Sequence, residues 1–327
     1  MKKENLIKGV IYGLISLVLV SLQPIFAVAR PGDLDAYFFA ATTCTMEALI
    51  FLPLFFFERR RIKKQNVNEP NDLLVKQLYG WKKHKILLVC IGIIFSVAQI
   101  TFFLSYQLAG AINGSLAQQS LILFSLLFGY LINHEKVTKI QILFSFVLLV
   151  GLFIGITQLE FNIGDLDLFV IAGVLLMMFT TLIWSLAHTF TRSAFQSNEL
   201  TPIFLVFVRN VLCSILLFGT YFIFFPLENL AFFLDPYYLF FIIIMGFLYG
   251  FDVLFWYSSL SHIQFSKASV LVAPMPILTA FFAFLILGVP FTIFHLVGAI
   301  IITISIIIIV IQGRNEKVVT EPDKIIS

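Results

Sequence analysis

The sequence predicts an all-α integral membrane protein, in which ten transmembrane helices form two inverted five-helix repeats and both termini are cytoplasmic. Three observations predict this fold: the composition, ten apolar segments of membrane-spanning length, and the distribution of Lys and Arg. Hydrophobic residues make up 60% of the 327 residues, charged residues make up 12%, and the mean hydropathy is +1.01. Soluble domains are about 45–50% apolar and about 25% charged, so a soluble globular protein is excluded. A disordered chain is excluded as well, because disordered chains are poor in apolar residues.

Ten segments are long and apolar enough to cross a bilayer, which requires about 20 residues of helix. The first segment follows Met1-Lys2-Lys3, as in a signal peptide, but it is longer than a signal sequence and has no small-residue cleavage site, so we expect it to be retained. The apolar runs are continuous rather than alternating, which argues against a strand barrel. The predicted spans are 9–28, 36–57, 86–107, 112–132, 140–158, 168–190, 203–225, 238–260, 268–287 and 292–312.

The positions of Lys and Arg predict the orientation, because these residues accumulate in cytoplasmic loops. With a cytoplasmic N-terminus, Arg30 is the only one of the 21 in an outer loop and Arg209 is the only one inside a span. The loop 58–85 carries nine of them, which could form a nucleic-acid patch but which we interpret as an orientation signal in contact with anionic lipid headgroups. Five apolar residues in this loop could form a short interfacial helix: Leu73, Leu74, Leu78, Tyr79 and Trp81. The outer loops carry acids instead: Asp33, Asp35, Glu160, Asp165, Asp167, Glu228 and Asp235.

The two halves of the chain show a weak internal repeat. At an offset of 153 residues, segment 98–105 aligns with segment 251–258, so that Gln99 meets Asp252 and Phe102 meets Phe255. The same offset superposes spans 3, 4 and 5 on spans 8, 9 and 10. Because each half has an odd number of spans, the second half enters the membrane upside down, as in many secondary transporters. The sequence therefore predicts one repeat at 1–158, a second at 159–312 and a cytoplasmic tail at 313–327.

Several features of the two halves match one known family. Each half has five short spans, and the links between spans 3 and 4 and between spans 8 and 9 are tight. Glu135 follows span 4, Pro274 and Pro276 lie in span 9, and Arg209 lies in span 7. In these features the chain resembles the drug/metabolite transporter superfamily, specifically its ten-helix members with two EamA-like repeats. Repeats of that family carry a Gly-Glu pair after the fourth helix, a proline within it, and an arginine in the second helix.

Other positions depart from the family pattern. His134 replaces the glycine of the Gly-Glu pair, and residues 288–289 lack the glutamate. Span 4 has no proline at 120–121, and span 2 has no arginine at 42–45. The resemblance implies a membrane transporter with a solute site between the repeats, whereas these loose motifs do not identify the solute.

Three ionisable side chains lie well inside predicted spans: Glu47, Arg209 and Asp252. A charge at the bilayer centre costs about 2.5–3.5 kcal/mol on insertion scales, so each side chain should face the bundle interior or a cavity. Glu47 is central in span 2, whereas Asp252 and Arg209 lie roughly 12 Å and 9 Å from the inner ends of their spans. We expect these residues to line a solute path. Alternatively, Arg209 extends to the cytoplasmic headgroups or forms a structural ion pair with Asp252.

Further polar and aromatic residues share faces of the predicted helices. Tyr249, Asp252 and Trp256 lie on one face of span 8, where the aromatic rings could hold an organic ligand or simply pack. Two adjacent glutamines in span 4 would be costly in lipid, so at least one should have a polar partner. The Pro274-Met275-Pro276 segment should kink span 9, either as a gate or as a fixed bend. The remaining candidate site residues are Gln99, Gln118, Gln119, Trp184 and His188.

The sequence contains no HExxH, CxxC, Walker A or GxSxG motif, so we expect neither an enzyme, nor an ATP-driven pump, nor a bound cofactor or metal. Cys44, Cys90 and Cys213 are odd in number and lie in apolar runs, which argues against a disulfide framework. The predicted function is secondary transport, as an exporter or exchanger in the cytoplasmic membrane, of small polar or amphipathic solutes such as amino acids or amines. The alternative is a polytopic protein without transport activity, such as a lipid-modifying transferase or a scramblase. The expected partners are a small-molecule solute and anionic lipid, not nucleic acid, and the sequence leaves open a monomer or a homodimer.

Overall fold

The computed structural model describes residues 3–134, 136–159, 167–196, 199–263 and 265–319. Within this part of the chain all regular elements are helices, nine of which are long and apolar enough to cross a membrane. A tenth apolar helix, α5, is shorter. The expectations that involve Glu135, Glu160 and Asp165 lie outside the described residues.

The helices follow the ten predicted spans closely, and the all-α membrane fold is confirmed. The elements are α1 (Lys3–Ala29), α2 (Ala36–Asn68), α3 (Asp72–Tyr79), α4 (Lys85–Gln118), α5 (Leu121–Asn133), α6 (Lys139–Thr157), α7 (Leu168–Gln196), α8 (Pro202–Phe224), α9 (Pro236–His262), α10 (Phe265–Val272), α11 (Met275–Phe282) and α12 (Ile293–Val319). Helix α11 continues as a π-helical turn at Ala283–Leu287.

Side-chain caps fix where several helices begin. The Asp35 carboxylate accepts a hydrogen bond from the backbone N–H of Phe38 at 2.8 Å, and the Asp235 carboxylate accepts one from Tyr237 at 2.8 Å. Thr138 and Gln141 form a reciprocal capping box at the start of α6. These side chains satisfy donors that the first turn of a helix leaves unpaired.

A tight turn joins spans 3 and 4 without a loop. Gly110 adopts φ +76° and ψ 172° inside α4, a conformation in the left-handed region that glycine adopts at little cost. The helix therefore reverses at one residue, and the segment from Ala111 to Gln118 returns into the bundle as the first half of span 4. The sequence predicted a tight link here but not that one glycine would make it.

The segment between α2 and α4 forms a short helix, as expected. Asn71 caps α3 by accepting a hydrogen bond from the N–H of Leu73 at 2.9 Å. At the other end of α3, the Arg59 guanidinium donates to the carbonyl oxygens of Gln77 at 2.6 Å and Leu78 at 2.8 Å. Both ends of α3 are thus satisfied, and a basic side chain of α2 holds the helix in place.

Helix packing pairs the first half of the chain with the second. Helix α1 packs against α9, α4 against α7, α2 against α8, α6 against α12, and the end of α4 against α11. The first two contacts are equivalent to each other under exchange of the halves. The contact between α2 and α8 and the contact between α6 and α12 are each equivalent to themselves. The packing therefore follows a pseudo-two-fold relation between the halves. The core where these helices meet is rich in buried phenylalanine, including Phe38, Phe39, Phe51, Phe102 and Phe103.

Candidate functional site

A cavity of about 150 Å³ lies among α1, α4, α5, α7, α8, α9, α12 and the segment that contains α10 and α11. This is far above the roughly 10–15 Å³ that one water molecule needs. Eight of the ten predicted site residues line it, whereas Glu47 and Gln99 do not. The eight are Gln118, Gln119, Trp184, His188, Arg209, Tyr249, Asp252 and Trp256.

Two interrupted spans meet at the cavity. Helix α4 ends at Gln118 and α5 begins at Leu121, while α10 ends at Val272 and α11 begins at Met275. The Gln119 amide Nε2 lies 3.4 Å from the Met275 Sδ, so the breaks touch. Breaks of this kind free backbone polar groups, which membrane proteins tolerate only inside protein or beside a cavity.

The sequence predicted only one of the two breaks. Pro274 caps α11 and Pro276 lies in its first turn, where a missing N–H costs nothing, so the expected interruption of span 9 is confirmed. Span 4 is interrupted at the equivalent place without any proline. There the Ser120 hydroxyl bonds the Thr181 hydroxyl of α7 at 2.7 Å, which is a tertiary contact that local sequence does not reveal.

The Asp252 carboxylate faces α1. It accepts a hydrogen bond from the Ser16 hydroxyl at 2.6 Å and another from the Gln23 side-chain amide at 2.9 Å. Sequence reasoning missed both partners, although Ser16, Val20 and Gln23 follow helical spacing on one face of span 1 and all three line the cavity. Two neutral donors hold this acid, and its remaining surface is turned towards the cavity.

The Arg209 guanidinium pairs with Glu47 rather than with Asp252. Its Nη2 lies 3.4 Å from the Glu47 Oε2, which also accepts a hydrogen bond from the Asn210 side-chain amide at 2.7 Å. Within the described residues no ion pair joins Arg209 to Asp252, so that expectation was wrong. The reason is the packing, because α8 lies mainly against α2 and α4 while Asp252 points at α1. Extension of Arg209 to the headgroups is also wrong, since its side chain is only 3% exposed.

Glu47 lies behind Arg209 and not on the cavity wall. Its side chain is fully buried, and its Oε1 has no hydrogen-bond partner among the described residues. Helix α9 approaches closely here, since a Cβ atom at Gly250 would lie 3.4 Å from the Glu47 Cγ. Of the two side chains that bind Glu47, Arg209 lines the cavity and Asn210 does not.

The aromatic residues both line the cavity and pack. The Arg209 guanidinium lies 4.4 Å from the ring centroid of Phe95 and 5.9 Å from that of Tyr249. The rings of Trp184 and Tyr249 each lie 5.6 Å from the ring of Phe102 behind them. The Trp184 indole Nε1 is buried without a hydrogen-bond partner in the described structure, so it is a donor that a ligand could use.

The glutamines differ in their surroundings. The Gln118 Oε1 accepts a hydrogen bond from the Tyr106 hydroxyl at 2.5 Å, so the expectation that one of the adjacent pair has a polar partner is confirmed. Gln99 is buried away from the cavity, and its Nε2 lacks a partner among the described residues. His188 lines the cavity, with its Nδ1 3.5 Å from the Tyr257 hydroxyl.

Sequence comparison identifies the family. The model of the EamA-like transporter family matches residues 7–157 and again residues 171–311. The chain belongs to the EamA-like transporter family. It is thus a multi-pass membrane transporter of the drug/metabolite transporter superfamily with two EamA repeats, as the resemblance implied.

Structural comparison agrees with this fold. A crystal structure of a protein that is 12% identical in sequence has a TM-score of 0.57, and the match covers 97% of this chain and 100% of the other. At this identity the similarity shows the fold alone. No curated protein matches the sequence of this EamA-like chain.

Proposed function

We propose that this EamA-like chain is a secondary transporter of small polar or amphipathic organic solutes, such as amino acids or amines, working as an exporter or exchanger in the cytoplasmic membrane. The solute binds in the central cavity, which opens alternately to each side of the membrane. The observation that carries the proposal is that Asp252 and Arg209, which have opposite charges, line one cavity at the point where two broken helices meet.

The chemistry of the wall favours such solutes. Asp252 is held by neutral donors, so its charge is left for the ammonium group of an amine or amino acid. Trp184, Tyr249 and Trp256 supply aromatic faces, which attract cations and cover apolar side chains. Interrupted helices near the midplane of inverted repeats are the usual place for a solute site in secondary transporters.

The driving force is a solute or ion gradient and not ATP. The sequence contains no Walker A motif, and no catalytic step is proposed for this chain. Eight of the nine basic residues of loop 58–85 are exposed and hold the cytoplasmic face against anionic headgroups, whereas Arg59 binds the end of α3.

Counterflow in proteoliposomes tests the proposal. Vesicles preloaded with one unlabelled compound from a panel of amino acids, amines and sugars should accumulate the same compound in labelled form. Asp252→Asn should weaken this exchange for amino compounds, because it removes the charge without changing the size. Glu228→Gln, on an exposed acid outside the bundle, is the matched control and should exchange like the parent.

A result without counterflow for any compound in the panel would refute the proposal and favour a membrane protein without solute transport. Equal exchange by the parent and the Asp252→Asn variant would refute the assignment of the site.

A further inference from the structure

Two buried cysteines meet where α2 crosses α8. The Sγ atoms of Cys44 and Cys213 are 2.6 Å apart, and both residues are free thiols that are 1% exposed. The two sulfur atoms are therefore in direct contact, with no other atom between them. Cys90, the third cysteine, is exposed at the start of α4 and belongs to no such pair.

The two cysteines occupy equivalent places in the two halves. Helix α2 begins at residue 36 and α8 at residue 202, an offset of 166 residues, and the cysteines differ by 169, so they correspond to within one helical turn. The next residues, Thr45 and Ser214, have the same offset as the cysteines and also meet, with their hydroxyl oxygens 2.6 Å apart. The contact therefore lies close to the pseudo-two-fold axis that relates the two halves.

We propose that Cys44 and Cys213 form a redox-active dithiol, which a peroxide closes to a disulfide between the two repeats. A peroxide converts one thiol to a sulfenic acid and releases one water molecule. The second thiol then attacks that sulfur, and the hydroxyl leaves with the thiol proton as a second water molecule. Two thiols and one hydrogen peroxide give one disulfide and two water molecules, so atoms and electrons balance.

A second part of this inference rests on the proposed transport function. In inverted repeats, the inward-open and outward-open states arise when the two halves exchange conformations. A contact between equivalent residues maps onto itself in that exchange and is present in both states. The crossing at Cys44 and Cys213 is then the fixed point of the cycle, and a disulfide there leaves transport intact.

The inner end of the same two helices provides a contrast. There the Thr201 hydroxyl donates to the Glu58 carboxylate at 2.7 Å. The positions equivalent to this pair lie near Gly32 and Leu227, which are both exposed. The two helices also meet at their outer end, where the ring centroids of Tyr37 and Phe225 lie 4.9 Å apart. The hydrogen bond between Glu58 and Thr201 itself has no counterpart there, because Gly32 and Leu227 carry no polar side chain. It should therefore break during the cycle, and a crosslink at this place should stop transport.

The first experiment measures the bond itself in full-length protein in proteoliposomes. After hydrogen peroxide, with iodine as a second and more apolar oxidant, free thiols are alkylated and peptides are analysed by mass spectrometry. We expect a linked peptide pair containing Cys44 and Cys213, reversed by dithiothreitol. It should be lost in Cys44→Ser and in Cys213→Ser and kept in Cys90→Ser. Two results would overturn the proposal, whether or not the protein transports a solute. One is that Cys44 and Cys213 are both still alkylated after treatment with each oxidant. The other is that sulfinic acid forms without the linked peptide pair.

The second experiment compares two crosslinks by counterflow. We expect the Cys44–Cys213 disulfide to leave the exchange rate unchanged. In a Cys44→Ser, Cys213→Ser background, a crosslink between Glu58→Cys and Thr201→Cys should cause loss of exchange. If both crosslinks stop exchange, or if neither does, the crossing of α2 and α8 at Cys44 and Cys213 is not a fixed point of the cycle.

Discussion

Arg209 and Glu47 form a buried ion pair between the two repeats, with the Arg209 Nη2 3.4 Å from the Glu47 Oε2. The guanidinium is 3% exposed and the carboxylate is fully buried. One face of Arg209 therefore meets Glu47 while another lines the cavity, so loss of the Glu47 carboxylate leaves the charge of Arg209 uncompensated at the cavity wall.

Removal of one partner should destabilise the fold more than removal of both. Glu47→Gln leaves the guanidinium without a counter-ion, which in buried pairs costs about 3–5 kcal/mol. In the double variant with Arg209→Gln we expect part of this loss to be recovered, with a coupling energy of about 0.5–3 kcal/mol. The free energies of unfolding of the parent, the two single variants and the double variant, measured in detergent, give this coupling energy.

The matching control is a cycle of Arg209→Gln with Asp252→Asn. Because Asp252 is held by Ser16 and Gln23, its coupling to Arg209 should be the smaller of the two. A larger coupling of Arg209 to Asp252 than to Glu47 would contradict the ion pair between Arg209 and Glu47.

Glu47→Gln should also distinguish solute transport driven by a proton gradient from simple exchange of solute. The Glu47 Oε1 lacks a partner among the described residues and could hold a proton in part of the cycle. If a proton at Glu47 drives transport, the glutamine variant loses accumulation driven by a proton gradient but keeps counterflow, because it mimics the protonated acid. If Glu47 instead serves only to hold the Arg209 guanidinium at the cavity wall, both activities fall. Parental activity in both assays would make Glu47 a structural residue only.

The orientation of the chain can be measured with single cysteines in a variant that lacks the three native ones. Glu228→Cys lies in the predicted outer loop and Lys64→Cys lies in the basic loop, and both positions are exposed. A membrane-impermeant maleimide should label only Glu228→Cys in intact cells, because Lys and Arg favour the cytoplasmic side. The opposite pattern would invert the topology.

The contact between α6 and α12 should not tolerate a single methyl group. A Cβ atom at Gly298 would lie 2.7 Å from the Gly151 carbonyl oxygen and 2.9 Å from the Gly155 Cα. Because these are backbone atoms that cannot rotate away, Gly298→Ala should destabilise the fold by about 1–3 kcal/mol.

Gly219 is the control for this substitution. It lies within α8, and a Cβ atom there would have no neighbour within 4 Å. Gly219→Ala should therefore be neutral or stabilising by about 0.5–1 kcal/mol, since alanine restricts the unfolded chain. Thermal unfolding in the same detergent compares the two, and an equal loss in both would show that packing is not the cause.

The membrane fold could be predicted because its causes are local. Apolar length and loop charge are properties of short segments, and Pro274 with Pro276 announces the interruption of span 9 by removing backbone donors. The break at 119–120 could not be predicted, because it depends on tertiary contacts such as the bond from Ser120 to Thr181.

The lining of the cavity could be predicted in composition but not in its pairing of charges. Charged and amide side chains inside apolar runs are conspicuous, and most of those identified line one cavity. Depth alone put Arg209 beside Asp252, yet the choice of partner depends on how each helix is rotated about its axis. The small polar residues Ser16 and Asn210 carry no such signal, because serine and asparagine also occur in spans for other reasons.

The pseudo-two-fold relation holds for the backbone and fails for the charges. Asp252 and Arg209 both come from the second half of the chain, and their nearest equivalents in the first half are uncharged. In the alternating-access cycle proposed above, exchange of shape between the halves does not reproduce the electric field in the cavity, so the two end states differ in free energy. A protein of this kind rests mainly in one of them, and its apparent affinity for a solute depends on the side from which the solute arrives.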